Sequence, residues 1–240
     1  MLILAFDTTS EKGGVGIFRD AECLAWVPNE GPANRYSITL FEMVEQALAH
    51  SHLELREIDL YAAANGPGSF TGIRVGLAAA LAWGNAFDRR VRGVSVLEAM
   101  VNKVRPTSDL AFSILDARRG EFFLGSFRRK PSELPNATRQ DYEPADGGWV
   151  LKPELLRAFV EERLTSSASA TCLVRAHDQA AADLRASLPT SLNWQQVEGA
   201  LVDSIADIAL KEEQSSRPCP DAKLDAYYIR RPDAEINWKD

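Results

Sequence analysis

The sequence is poor in cysteine and histidine, the residues that most often build disulfides and transition-metal sites. Each occurs three times in 240 residues. No Cys-x-x-Cys and no His-x-x-x-His pair is present, so a metallopeptidase that relies on paired histidines is excluded. An odd number of widely spaced cysteines indicates reduced thiols, and we therefore expect a cytoplasmic protein.

Long apolar runs and an excess of positive charge are also missing. Without a run of 18 apolar residues we predict no membrane-spanning helix, and Asp7 comes too early for a signal peptide. The formal net charge is −7, whereas a protein that grips nucleic acid by itself is usually basic. Three short basic clusters, 89–92, 118–119 and 128–130, are interpreted as solvated surface. Any link to RNA is expected to run through a partner.

A glycine-rich stretch, Asn65–Gly76, joins the apolar run 58–64 to an alanine-rich run. Such a strand-to-helix turn lets the backbone approach a phosphate. The stretch lacks the lysine of a Walker A loop, and Thr71 stands where the dinucleotide fingerprint needs glycine. Phosphate contact therefore stays a minor hypothesis. It would involve Gly66, Gly68, Ser69, Thr71 and Arg74.

Several of these side chains also have structural interpretations. The hydroxyls of Ser69 and Thr71 are predicted to cap the following helix. Arg74 could bind an anion, or form a salt bridge to Asp7 or Glu98.

Small residues recur every four positions along that helix, at Gly72, Gly76, Ala80 and Gly84. They share one face, and each helical glycine costs about 0.5–1 kcal/mol relative to alanine. A close backbone contact would compensate. The contact could be with the protein's own sheet or with another subunit, and the sequence leaves both open.

Hydrophobic periodicity predicts an α/β protein. A strand meander occupies the first thirty residues, and Asp7 at the end of its first strand is either an Asx turn or the start of a nucleotide site. Helical spacing of Ile38, Phe41, Val44 and Leu48 predicts the first helix. We predict helices over 34–50, 72–87, 95–104, 152–164, 180–188 and 201–212. The later strands are predicted at 58–64, 91–94, 110–115, 121–127, 171–174 and 191–197. The polar stretch 131–148 is predicted to be a loop or an irregular hairpin.

Four separated motifs resemble those of the bacterial TsaB (YeaZ) family. They are Ile3–Thr9, Gly66–Gly76, Leu115–Glu121 and Tyr228–Arg230. The resemblance implies an actin-like, Hsp70-like ATPase (ASKHA) fold of two related lobes, each a mixed sheet flanked by helices. It places the N-terminal lobe at 1–105 with about 201–240, and the C-terminal lobe at 106–200. Asp116 and Arg118 are expected to brace a hairpin, and Tyr228 and Arg230 to dock the tail.

The resemblance also implies a function, namely support of tRNA threonylcarbamoyladenosine modification next to the anticodon. The chain would be a non-catalytic accessory subunit that binds the TsaD catalytic subunit together with TsaE. It would form a homodimer when alone and meet tRNA only through partners. We expect no intrinsic cofactor and no metal, with ATP or ADP and magnesium only at the joint with partners.

The sequence departs from the wider pattern at two places. Thr9 stands where active ATPases of this superfamily have glycine, so Asp7, Thr8 and Thr9 are interpreted as a vestigial nucleotide site. Tyr36 stands where the family usually has a histidine. The alternative hypothesis is an active ATPase or phosphotransferase of the same fold.

The small-residue face motivates a predicted partner or dimer interface on the helices near 34–50 and 72–87. The predicted interface residues are Tyr36, Leu40, Val44, Gly72, Val75, Gly76, Ala79, Ala80 and Trp83.

Overall fold

The computed structural model describes residues 1–32, 35–131, 141–165, 167, 169–215 and 229. Its contacts divide the chain into two compact units. One comprises Met1–Ala99 with the part that follows from Gly199, and the other comprises Met100–Glu198. The expected docking residues Tyr228 and Arg230 lie outside the described residues. No helix in the described ranges is long and apolar enough to cross a bilayer.

The first unit is built on a five-stranded mixed sheet in the order β3-β2-β1-β4-β5. The predicted meander is confirmed, since β1, β2 and β3 pair antiparallel, while β4 runs parallel to β1 and β5. The strands are β1 Leu2–Asp7, β2 Gly14–Arg19, β3 Glu22–Pro28, β4 Leu60–Gly66 and β5 Arg90–Ser95. The helices are α1 Tyr36–Ser51, α2 Phe70–Phe87 and α6 Val202–Gln214, with a 3₁₀ turn at Leu55–Glu57.

The second unit repeats this strand order as β8-β7-β6-β10-β11, with β9 also paired to β7. The strands are β6 Leu110–Asp116, β7 Phe122–Arg129, β8 Tyr142–Pro144, β9 Trp149–Leu151, β10 Ala170–Arg175 and β11 Asn193–Gln196. Its helices are α4 Pro153–Leu164 and α5 Asp178–Ser187, and α3 Val96–Val104 precedes β6 in the chain. Two mixed sheets flanked by helices confirm the predicted fold class. The strand β8 lies in the region predicted as a loop or an irregular hairpin, and β9 follows directly after that region. Each has three residues, too few to show a period.

The two faces of the first sheet are covered by different helices. Leu4 and Phe6 of β1 join a core cluster with residues of α1 and α2, and α6 packs against β1, β2, β4 and β5. Because side chains alternate along a strand, the buried side chains of Ile3 and Ala5 face α6. The buried residues of α6 include Val202, Ile205, Ala206, Ile208 and Ala209.

The periodicity located α1 and α4 correctly, but not all of their apolar side chains are buried. Ile38 and Phe41, whose spacing predicted α1, are 64% and 56% exposed. Leu155 of α4 is 61% exposed, while Leu156 and Val160 are buried. Some apolar side chains of these helices therefore lie on the surface and are available to other molecules.

An ion pair fastens the end of α6 to the edge strand β5. The Arg92 guanidinium donates to Glu213 Oε2 from Nε at 3.2 Å and from NH2 at 2.8 Å. Arg90 contacts the other carboxylate oxygen. Arg92 and the Glu213 side chain are only 5% and 7% exposed, so the interpretation of cluster 89–92 as solvated surface is wrong for Arg92.

Candidate functional site

The carboxyl end of β1 and the start of α2 are joined directly. The parallel pairing of β1 with β4 puts the residues after both strands at one sheet edge. There the Thr8 hydroxyl donates to the carbonyl of Gly72 at 2.6 Å, and the amide of Ser69 donates to the carbonyl of Thr9 at 2.7 Å. The predicted vestigial nucleotide residues and the signature loop are therefore brought together, and they bind each other.

Glycine makes this close contact possible. A Cβ atom at Gly72 would lie 1.8 Å from the Thr8 carbonyl oxygen, and one at Gly68 would lie 2.6 Å from Thr9 Cβ. The same helix face continues through Gly76 and Gly84, where a Cβ would lie 2.5 Å from Thr8 Oγ1 and 2.4 Å from Val91 Cγ2 respectively. Of the two interpretations of the small-residue face, packing on the protein's own sheet is the one observed.

This packing corrects the predicted interface. Seven of the nine predicted residues are buried inside the first unit, and only Val75 and Trp83 are partly exposed. The buried ones are Tyr36, Leu40, Val44, Gly72, Gly76, Ala79 and Ala80. A bulky residue at Gly76 or Ala80 would therefore disturb the core before it tested any partner contact.

Asp7 forms an Asx turn with Thr9, as one of its two interpretations predicted. Its Oδ1 accepts from the Thr9 amide at 2.9 Å and from the Thr9 hydroxyl at 2.6 Å. Asp7 and Thr8 are fully buried and Thr9 is 4% exposed. The Asp7 Oδ2 atom is buried without a hydrogen-bond partner among the described residues, so Asp7 does not pair with Arg74.

The other loop residues divide into structural and exposed ones. Ser69 is the N-cap, since its side chain accepts from the Gly72 amide at 3.2 Å. The capping prediction for Thr71 is wrong, because α2 begins at Phe70 and Thr71 lies exposed in its first turn. Arg74 is also exposed, with its guanidinium carbon 3.9 Å above the centre of the Phe70 ring. At Gly66, φ is +116°, a backbone conformation that glycine adopts readily.

An apolar patch lies on the two helices where an interface was predicted. It consists of exposed Ile38 and Phe41 of α1 and partly exposed Trp83 of α2, whose ring contacts that of Phe41, and we call it the α1–α2 face. The sequence could have shown that Ile38 and Phe41 belong to a different face of α1, since both lie off the line of buried residues through Leu40, Val44 and Ala47.

Trp83 connects this face to the interior. Its ring contacts that of Phe41 at a centroid distance of 5.6 Å, and those of Phe6 and Tyr61 at 6.0 Å each. Burial raises the pKa of Tyr61 to about 12, and its hydroxyl donates to the Leu55 carbonyl at 3.0 Å. Among the described residues no three His, Cys, Asp or Glu side chains are grouped to hold a metal ion.

Comparisons with known proteins identify relatives of this chain. A family model described as TsaD, tRNA N6-adenosine threonylcarbamoyltransferase, matches residues 27–146, half of the chain. The tRNA threonylcarbamoyladenosine biosynthesis protein TsaB of Bacillus subtilis is 32% identical over 132 residues, which cover 54% of this chain. TsaB of Escherichia coli is 28% identical over 164 residues, or 68% of this chain and 67% of that protein. The match spans 56% of the Bacillus relative's length.

The fold is shared with a solved structure over nearly the whole chain. YeaZ from Pseudomonas aeruginosa superimposes with a TM-score of 0.69, covering 95% of this chain and 99% of the other at 18% identity. Three features of the present chain lead to one assignment: the strand-to-helix corner, the two mixed sheets and the sequence relatives. The chain belongs to the TsaB (YeaZ) family, within the wider sequence family that the TsaD model describes.

Proposed function

We propose that this protein is a non-catalytic accessory subunit in the biosynthesis of tRNA threonylcarbamoyladenosine. It binds and supports a TsaD catalytic subunit, together with TsaE, through the α1–α2 face. Curated relatives are named for this pathway, which supports the process. The observation that carries the docking role is the exposed apolar surface formed by Ile38 and Phe41 beside Trp83.

The chemistry of the α1–α2 face suits a protein partner. Ile38 and Phe41 expose most of their surface, and contiguous exposed apolar residues mark interaction sites. Aromatic side chains contribute much of the binding energy of interfaces, and Phe41 and Trp83 supply them here. The small-residue contacts hold α2 closely on the sheet, so little ordering cost remains for that helix on binding. A homodimer through this face is expected when no other partner is present.

Replacing Ile38 and Phe41 together with glutamate is expected to weaken association with TsaD at least about 100-fold, since each hot-spot side chain contributes about 2 kcal/mol or more. Both side chains are exposed, so the variant keeps its fold. Calorimetry with purified TsaD measures the affinity, and analytical ultracentrifugation measures self-association.

Leu155→Glu provides the matched control, because Leu155 is equally exposed but lies on α4 of the other unit. It should leave both associations unchanged. Full binding of TsaD by the Ile38→Glu, Phe41→Glu variant would remove the α1–α2 face from the proposal.

The closed corner supports a non-catalytic role. In a phosphate-binding loop the backbone amides must reach the ligand, but here the amide of Ser69 donates to Thr9 and that of Gly72 to Ser69. Thr9 also fills the space beside Asp7. In this proposal TsaD holds the group that is transferred to the tRNA. Because the accessory subunit supports TsaD, we expect modification reconstituted from purified partners to stop when this protein is omitted.

One observation favours the alternative, an active ATPase of the same fold. The buried Asp7 Oδ2 lacks a hydrogen-bond partner among the described residues, and a buried carboxylate oxygen is a ligand that magnesium accepts. Titration calorimetry of the isolated protein with ATP and magnesium decides between the two. We expect no micromolar binding and no turnover, whereas tight binding with hydrolysis would establish the enzyme.

A further inference from the structure

The tip of the β6–β7 hairpin carries two adjacent exposed arginines in an unusual backbone conformation. Arg118, Arg119 and Gly120 have φ values of +62°, +56° and +73°. Asp116 Oδ1 accepts from the Arg118 amide at 2.6 Å. The turn closes through hydrogen bonds from the Ala117 amide to Glu121 and from the Glu121 amide to Arg118.

Arginine is a poor choice for this backbone on stability grounds alone. Left-handed φ disfavours residues with a Cβ, whereas glycine and asparagine tolerate it. Two successive arginines there are therefore strained, and strain of this kind persists where it serves a function. The Asx bond is made by the Arg118 backbone, so Asp116 braces the turn as expected, whereas the Arg118 guanidinium does not take part.

The surroundings make the tip a projecting positive charge. Arg118 and Arg119 are exposed, and a Cβ at Gly120 would meet nothing within 4 Å. Arg118 forms no salt bridge to any described residue. Exposed Lys152 follows directly after Leu151, which pairs with Phe122 at the tip end of the hairpin. The carboxylates nearest in sequence are half-buried Asp116, turned toward the backbone, half-buried Glu121, and exposed Glu154.

The chemistry favours phosphates over an acidic protein partner. Guanidinium groups form forked, charge-assisted hydrogen bonds with phosphate oxygens. The three residues of the tip, Arg118, Arg119 and Gly120, bring no apolar side chain, whereas protein hot spots are centred on desolvated apolar pockets. Phosphate contacts need no such pocket and depend on placed cations.

We propose that the Arg118–Arg119 tip, with Lys152 beside it, contacts the tRNA phosphate backbone inside the assembled modification complex. The inference rests on the proposed function. It revises both the interpretation of this cluster as solvated surface and the expectation that the chain meets tRNA only through partners. With a net charge of −7 the isolated chain repels RNA, so the contact forms only when partners hold the tRNA.

The test compares tRNA affinity of complexes assembled with TsaD and TsaE, using an unmodified tRNA transcript that reads ANN codons. Arg118→Asn with Arg119→Asn removes both charges while suiting the left-handed backbone. Each phosphate contact contributes about 0.7–0.9 to the slope of log K against log salt, so the slope should become shallower by about 1 to 2. The melting temperature of the variant should stay equal or rise, because the strain is relieved.

Two controls separate charge from fold. Arg118→Lys with Arg119→Lys keeps the charge and should keep most of the slope. Arg56→Asn removes a side chain that is 71% exposed in the other unit and should change nothing.

Each remaining result overturns the inference in a distinguishable way. An unchanged slope in an active complex overturns the tRNA contact and leaves the proposed function standing. Failure of the folded asparagine variant to join the complex makes the tip a protein contact instead. If TsaD and TsaE modify tRNA equally well when this protein is left out, the proposed function is overturned, and the inference with it.

Discussion

Replacing Gly72 with alanine is expected to lower the free energy of unfolding by about 3 kcal/mol or more, although alanine is the better helix former. The added Cβ would stand 1.8 Å from the Thr8 carbonyl oxygen, which belongs to the backbone and cannot turn away. Accommodation requires α2 to move off the sheet. The hydrogen bond from the Thr8 hydroxyl to the Gly72 carbonyl would break with it. Urea denaturation followed by circular dichroism measures the loss.

Two further glycines calibrate this result. At Gly31 the nearest atom to an added Cβ is Arg35 Cδ, at 3.9 Å, so Gly31→Ala should be nearly neutral. At Gly76 the clash is with the Thr8 hydroxyl, the end of a side chain that can rotate, so Gly76→Ala should lose less than Gly72→Ala. Equal stabilities for all three variants would contradict the close contact between β1 and α2.

Removing the Glu213 carboxylate by mutation to alanine is expected to cost about 3–5 kcal/mol, the usual loss when one partner of a buried ion pair is deleted. Arg92 would remain buried at 5% exposure with its charge uncompensated. The C-terminal end of α6 would also lose its attachment to β5. Urea denaturation again gives the loss, and amide hydrogen exchange should show faster opening of α6.

A double variant tests the physical cause. Buried ion pairs can often be replaced by apolar side chains of similar volume at little cost. Arg92→Met with Glu213→Leu should therefore recover most of the stability lost by Glu213→Ala. Glu161→Gln supplies the surface control, since its pair with Arg157 is exposed and worth about 0.3–0.5 kcal/mol. A loss of that small size at Glu213 would show that the pair is not buried in solution.

Local sequence patterns predicted most of the elements because their causes are local. The apolar runs of β1 and β2 and the helical spacing of α2 and α6 depend on residues within one element. The same patterns did not show which apolar side chains of α1 are buried, since one helical spacing contains buried Val44 and exposed Ile38 and Phe41. Apolar side chains can serve either a core or a partner, and their spacing does not distinguish the two.

The parts that could not be predicted depend on residues far apart in the chain. Arg92 and Glu213 are 121 residues apart, and no short pattern links them. The small-residue face of α2 was recognised, but its partner is Thr8, 64 residues from Gly72. The small residues on one face of α2 can be recognised in the sequence. The segment that packs against them cannot, because the order of the strands in the sheet determines it.

The contact between Thr8, Thr9 and the signature loop also determines which positions can vary among related chains. Positions 68 and 72 are closed to any side chain by neighbouring main-chain atoms, whereas Thr71 and Arg74 are exposed. We therefore expect related chains to vary on the exposed side of the helix and not on the side that meets β1. The signature Gly66–Gly76 can then identify distant members of a family, because its residues are fixed by close backbone packing and not by a catalysed reaction.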